Sequence, residues 1–180
     1  MLDAAFRSSR ARRVVITTEH ARLTTWLASD LEELAALHAE PATMRYMRSG
    51  VESQEQVARR LNRYLQEQDQ RGWTRWRVED ETGRLIGRAG FELTEEHGRR
   101  HRELGYLLAP AVWGKRLASE LARDLVAWHR AHPDPLLDDE LIAYSFPDNT
   151  ASRRILEKMG FAVTGEDTLD GHRLVRYAVS

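Results

Sequence analysis

The chain contains no cysteine. Disulfides, thiolate metal sites and a thiol nucleophile are therefore excluded, and a reducing, cytoplasmic compartment is expected. No apolar run approaches the ~20 residues that a membrane helix needs. Excess charge is missing too, since 27 Lys and Arg against 28 Asp and Glu leave a formal net charge of −1. No global field recruits nucleic acid or an anionic membrane as a partner. Neither a Walker motif nor G-x-G-x-x-G occurs, which removes the usual evidence for nucleotide hydrolysis and dinucleotide redox chemistry. Repeats, low-complexity stretches and Pro/Gly/Ser linkers are absent, so the 180 residues read as one domain. The start carries Arg7, Arg10, Arg12 and Arg13 without the apolar core of a secretory signal. We expect a flexible, solvated tail over 1–20 and a domain over 21–180.

Within that domain the hydrophobic period changes. Leu23 to Leu27 reads as a short strand. Ser29-x-x-Glu32 and Ser53-x-x-Gln56 fit the capping-box pattern, each opening an amphipathic helix. Trp73 to Val78 alternates, Glu81-Thr-Gly83 offers a turn, and Leu85, Gly87, Ala89, Phe91 and Leu93 recur every second residue, which predicts a hairpin. On that strand Trp73 and Trp76 fall on opposite faces, one for the core and the other free to line an acceptor groove. Glu103 to Ala109 is a third strand. A helix with the stripe Leu117, Leu121, Leu125 and Trp128 follows, and Pro133 and Pro135 end it. Leu141 to Phe146 reads as a strand, Asn149 to Met159 as a helix stopped by Gly160, and Phe161–Thr164 with Leu174–Val179 as a last hairpin. The strand–helix–strand unit needs a crossover, so its two strands should run parallel. The fold class is α/β (α+β): a mixed, mostly antiparallel sheet flanked by helices.

Two segments carry chemistry. At Trp113-Gly114-Lys115-Arg116-Leu117-Ala118 a strand ends in a turn that opens a helix, and free N–H groups at such a terminus suit a phosphate. At Asn149-x-x-Ser152 an amide and a hydroxyl three residues apart share one face of a helix start. Ser152 can equally cap its own first turn, worth about 1 kcal/mol. The seven histidines form no carboxylate-assisted ligand set in sequence: His97 and His101 flank a turn, and His129 and His132 end a helix. We read them as surface residues and expect no metal. The run Arg99-Arg100-His101-Arg102 reads as a wet turn, with an acidic peptide acceptor as the sharper alternative.

In order and spacing, Gly105-Tyr-Leu-Leu-Ala-Pro110, then Trp113-Gly114-Lys115-x-x-Ala118, then Asn149-x-x-Ser152 with Lys158-x-Gly160-Phe161, resembles the GNAT superfamily of N-acetyltransferases. Within it the chain looks most like the branch of ribosomal-protein N-terminal acetyltransferases, from about Ala21 to the C-terminus. The resemblance implies a cleft for acetyl-CoA between the parallel strands, with the pyrophosphate on backbone N–H groups of Gly114, Lys115, Arg116, Leu117 and Ala118. The family's pattern there is Arg or Gln, two free positions, Gly, one free position, then Gly or Ala. Trp113 takes its first position, Ala118 keeps the last, and Arg116 stands where the pattern has Gly. The guanidinium either turns outward to a phosphate or crowds the site, and crowding would leave an impaired acyl-CoA-binding module.

The same resemblance implies direct attack of a primary amine on the thioester. Ser152 would protonate the departing thiolate, and Asn149 would position pantetheine or substrate. Leu156 stands where many relatives carry an acidic Tyr. A backbone N–H near Leu107 or Leu108 would hold the oxyanion, and Glu103, ahead of Glu92, would act as base. The acceptor is a protein or peptide N-terminus, or a small amine, and a homodimer is compatible with this reading.

Overall fold

The structure, a computed structural model, describes residues 11–180. Strands β1 (Val14–Thr17), β2 (Arg22–Thr24), β3 (Arg75–Glu79), β4 (Leu85–Glu96) and β5 (Arg99–Leu108) follow one another across the sheet, each antiparallel to the last. Beyond β5 lie β6 (Leu141–Ser145), β8 (His172–Val179) and, at the edge, β7 (Ala162–Leu169). Helices α1 (Leu31–Ala39), α2 (Pro41–Met44) and α3 (Gln54–Gln70) sit between β2 and β3 in sequence. Helix α4 (Leu117–Ala131) makes the crossover from β5 to β6, and α5 (Thr150–Lys158) links β6 to β7.

Local chemistry accounts for the elements. Ser53 caps α3 reciprocally with Gln56, as the sequence pattern requires. His97 and Gly98, with φ of 50° and 75°, form the left-handed pair that closes a two-residue hairpin between the long strands β4 and β5. Gly160, at φ 89°, stops α5. A bulge opposite Val78/Glu79 shifts the register of β4. Leu85 therefore joins the core under α1 and α3, while Ile86 faces the core under α4.

Those two cores fill opposite faces of the sheet. Between them lies, among the described residues, the one parallel pairing, β5 with β6. It holds only at Arg102/Leu141, Glu103/Ile142 and Leu104/Ala143. Past Leu104, β5 stays with β4, and past Ala143, β6 stays with β8, so the strands part.

Several expectations change. Val14–Thr17, inside the stretch read as a tail, is strand β1, and Arg12 pairs with buried Asp30. Residues 1–10 of that stretch lie outside the described residues. Ser29 does not cap α1: it lies in a 3-10 turn, Ala28–Asp30, that leads into the helix, and there the Asp30 carboxylate accepts the Leu27 N–H at 2.8 Å. Trp73 and Trp76 both pack edge-on against Phe91 in the core, and neither lines a groove. Trp73 precedes β3, so strand alternation does not bind it. His101 and His129 are buried rather than on the surface, and Arg102 is buried among the rings of Trp73, Phe91 and Trp128 rather than in a wet turn. The side chains that do meet at metal-ligand spacing are Glu19, His20 and Glu120, among which His20 already bonds Glu120 through its N–H and its ring. Among the described residues, no helix is long and apolar enough to cross a membrane.

Candidate active site

Where β5 and β6 part, a cavity of about 600 Å³ opens. One wall is the turn into α4. The Trp113 indole N–H donates to the Leu108 carbonyl at 2.8 Å, which pins this turn although the ring is 52% exposed. Gly114 and Arg116 then take left-handed φ values of 75° and 62°. The first helical bonds run from Ser119 and Glu120 to the Arg116 carbonyl. Among the described residues, the N–H groups of Gly114, Lys115, Arg116, Leu117 and Ala118 find no acceptor. Five unpaired donors near a helix N-terminus are a chemistry that can take an anion. The positive φ explains why glycine suits position 116; an arginine there costs about 1–2 kcal/mol. Its side chain is exposed at the cavity rim and makes no bond to the described residues.

The start of α5 forms the facing wall. Asn149 is the N-cap, and its Oδ1 accepts the Ser152 N–H at 3.2 Å. Ser152 Oγ is thus not a cap. It lies 2.9 Å from the hydroxyl of Tyr106, a residue the motif reading passed over although it sits in the Gly105-Tyr106 strand element. Burial pushes the Tyr106 hydroxyl up to about 12 against the opposing pull of the Ser152 bond, so it stays protonated. Leu156 shares this wall.

The phase of the ladder selects between the two leucines. Ala109 N–H donates to the Ile86 carbonyl at 2.9 Å, and bonded pairs alternate along an antiparallel ladder. Leu107 therefore turns its N–H toward β4, whereas the N–H of Leu108 faces the gap left by β6. Of the two glutamates, Glu103 lines the cavity and Glu92 does not. They are cross-strand partners, and both bind Arg75: Glu92 at 3.1 Å and Glu103 at 3.1 Å. Thr94 Oγ1 donates to the other Glu103 oxygen at 2.8 Å. Glu92, facing Arg75 foremost and Arg63 as well, is pulled down to about 2 against its own burial. Gly105 makes room for this arrangement, because a Cβ there would meet the Arg75 guanidinium at 2.9 Å.

A second arginine was not anticipated. Arg88, 1% exposed, lies directly across from Leu107 and reaches the cavity. Its Nε–H donates to His38 Nε2 at 3.1 Å, and His38 Nδ1 meets Glu52 at 2.8 Å. His38 must then be neutral with its proton on Nδ1. Burial, and next the Arg88 charge, lower its pKa to about 4. Glu52 is held at about 2: burial opposes ionisation, but the bonds from Arg60 and His38 outweigh it. Arg88 itself is lowered by burial to about 10 and remains a cation at neutral pH.

The Acetyltransferase (GNAT) domain family matches residues 20–162. An uncharacterized N-acetyltransferase of Bacillus subtilis (strain 168), YoaA, is 30% identical over 154 residues, which are 84% of each chain. Among solved structures, the GNAT-family acetyltransferase from Bacillus anthracis has a TM-score of 0.73 at 22% identity, covering 91% of this chain and 96% of that one. The RimL ribosomal L7/L12 α-N-protein acetyltransferase, in complex with coenzyme A, has a TM-score of 0.74 at 18% identity, covering 93% and 97%. At those identities the structural likeness is one of fold. The family match and the curated relative go further: the chain belongs to the GNAT family of N-acetyltransferases.

Proposed function

We propose that the protein transfers an acetyl group from acetyl-CoA to a primary amine by direct attack in a ternary complex. The carrying observation is the cluster of unpaired N–H groups at 114–118, which shares one cavity with the Ser152–Tyr106 hydroxyl pair. Acetyl-CoA supplies the activated acyl group, and a thiol with a pKa near ~8.5 makes its thiolate a tolerable leaving group. The amides of Gly114 to Ala118 hold the diphosphate, and the exposed Arg116 guanidinium pairs with a phosphate. That outward placement favours binding over the alternative of an obstructed, impaired module.

At the other end of the cavity the Leu108 N–H stabilises negative charge on the carbonyl oxygen. Tyr106 donates its hydroxyl hydrogen to Ser152 Oγ. This frees the serine proton for the sulfur as the C–S bond breaks. Glu103, oriented by Arg75 and Thr94, takes the ammonium proton through water. An α-amine with a pKa near ~8 needs little more help. Asn149 holds Ser152 in place through the cap and offers its amide N–H to pantetheine.

Calorimetry with acetyl-CoA, followed by thiol release over a panel of primary amines, tests the proposal. Saturable binding with amine-dependent thiol release is expected. Binding without release on any amine would favour the impaired module, and absence of binding would defeat both readings.

A further inference from the structure

Arg88 is a buried cation whose partners are neutral. Its hydrogen bonds go to the His38 ring and, weakly, to Met47 Sδ at 3.9 Å. No carboxylate pairs with it among the described residues, whereas its cationic neighbours each have their own: Arg60 has Glu52, and Arg75 has Glu92 and Glu103. His38 cannot act as its counterion, because its Nε2 lone pair already accepts the Arg88 N–H and its other nitrogen serves Glu52. Glu92 attracts Arg88 from a distance but is held by Arg75 and Arg63, and a buried cation with no ion-pair partner of its own costs several kcal/mol.

The cavity that Arg88 reaches is also strongly one-signed. Arg45, Arg48, Arg75, Arg88 and Arg116 line it, with Glu103 as its one acidic side chain among the described residues. Arg48 is paired with Asp170 and Arg75 with Glu92 and Glu103, which leaves Arg45, Arg88 and Arg116 without a carboxylate among those residues. The chain as a whole carries a formal net charge of only −1, so this is local placement and not a reflection of composition. Arg116 sits at the phosphate turn, but Arg88 stands elsewhere, across the ladder from Leu107. Through strand alternation, Leu107, Gly105 and Glu103 share the face of β5 on which Arg88 lies. One face thus presents Glu103 for an ammonium group and Arg88 for an anion, with the Arg75 guanidinium packed over Gly105 between them.

We propose that Arg88 recognises the acceptor: the primary amine acetylated here carries a carboxylate, which the Arg88 guanidinium binds. The inference rests on the transfer reading above. It disfavours polyamines, because Arg45, Arg88 and Arg116 line the cavity with no carboxylate partner among the described residues, and it accommodates either a free amino acid or a peptide N-terminus with an acidic side chain nearby.

The test uses the full chain with acetyl-CoA and matched amines: free amino acids against their carboxamides, and short peptides with an acidic or an amide residue after the first. Rates are compared per unprotonated amine, since amidation also lowers the amine pKa. We expect kcat/KM at least tenfold higher for the carboxylate member of one series, and that series identifies the source of the carboxylate. Arg88→Gln should shrink the ratio toward one, and Arg88→Lys should retain part of it. Equal kcat/KM within both wild-type series would overturn the inference while leaving acetyl transfer intact, and needs no variant to fold. Equal losses on both members in R88Q would likewise reduce Arg88 to a structural residue. If no amine releases thiol, calorimetry of the same pairs on the CoA complex decides. A preference for the carboxylate that R88Q abolishes would retain the anion site and reject the transfer reading, and no preference would reject the site as well.

Discussion

Replacing Ser152 by alanine separates the chemical role of this residue from a structural one. Helix α5 is capped by Asn149, whose Oδ1 accepts the backbone N–H of residue 152, and alanine keeps that N–H. What disappears is the hydroxyl and its 2.9 Å bond to Tyr106. One net hydrogen bond is worth about 1 kcal/mol, and alanine returns up to about 0.5 kcal/mol of helix propensity. The thermal midpoint should therefore fall by no more than about 2–4 °C. If Ser152 protonates the thiolate, the loss of a positioned acid lowers kcat by about a hundredfold or more, roughly 3 kcal/mol of barrier. Thiol release at saturating amine measures the second quantity, and calorimetry with CoA shows that binding changes far less. A variant with kcat within about threefold of wild type, or with turnover and CoA affinity falling together, would refute the acid role.

Three further outcomes follow from the same geometry. Asn149→Asp keeps an acceptor for the cap but removes the amide donor; it should melt like wild type and bind CoA more weakly, whereas Asn149→Ala should also lose about 1 kcal/mol of stability. Arg116→Gly relieves a left-handed arginine and removes one cation, so CoA affinity should stay within about tenfold, or ~1.4 kcal/mol; much tighter binding would show that the native side chain obstructs. His38 takes up a proton near 6.5 when unfolded but only at about 4 when folded. The unfolded state therefore binds more protons between those values, and stability should fall by up to ~3 kcal/mol as pH drops through that window. Urea unfolding at the two ends of the window checks this, and His38→Gln should flatten the step.

Much of this architecture can be read from residues alone, because the signals are local. The Ser53 capping box, Gly160 after α5, the alternation of β4 and the prolines after α4 each act within a few positions, and the crossover that α4 makes forces the parallel pair that opens the cleft. The turn at 113–118 that opens α4 and the Asn149–Ser152 pair are also visible as spacing. Charged residues buried by distant partners are not. Arg102 goes inside because Trp73, Phe91 and Trp128 surround it, and β1 exists because Arg12 finds Asp30 and the strand pairs with β2. Arg88 left a faint trace: with Arg75, Arg77 and Glu92 it forms the off-core alternation of β3 and β4, which resembles a solvated face until α1 and α3 cover it. Asn149 and Ser152 are legible as a pair on one helix face, but not that Asn149 is the cap and that the Ser152 hydroxyl turns to Tyr106, which depends on backbone angles.

In the function proposed above, the backbone at 114–118 grips the diphosphate of the coenzyme. Titrating nitrogen-15-labelled protein with CoA tests it most directly. Saturable shifts concentrated on the amides of Gly114, Lys115, Arg116, Leu117 and Ala118 are the predicted result. Saturable binding that leaves those five signals in place would contradict the account.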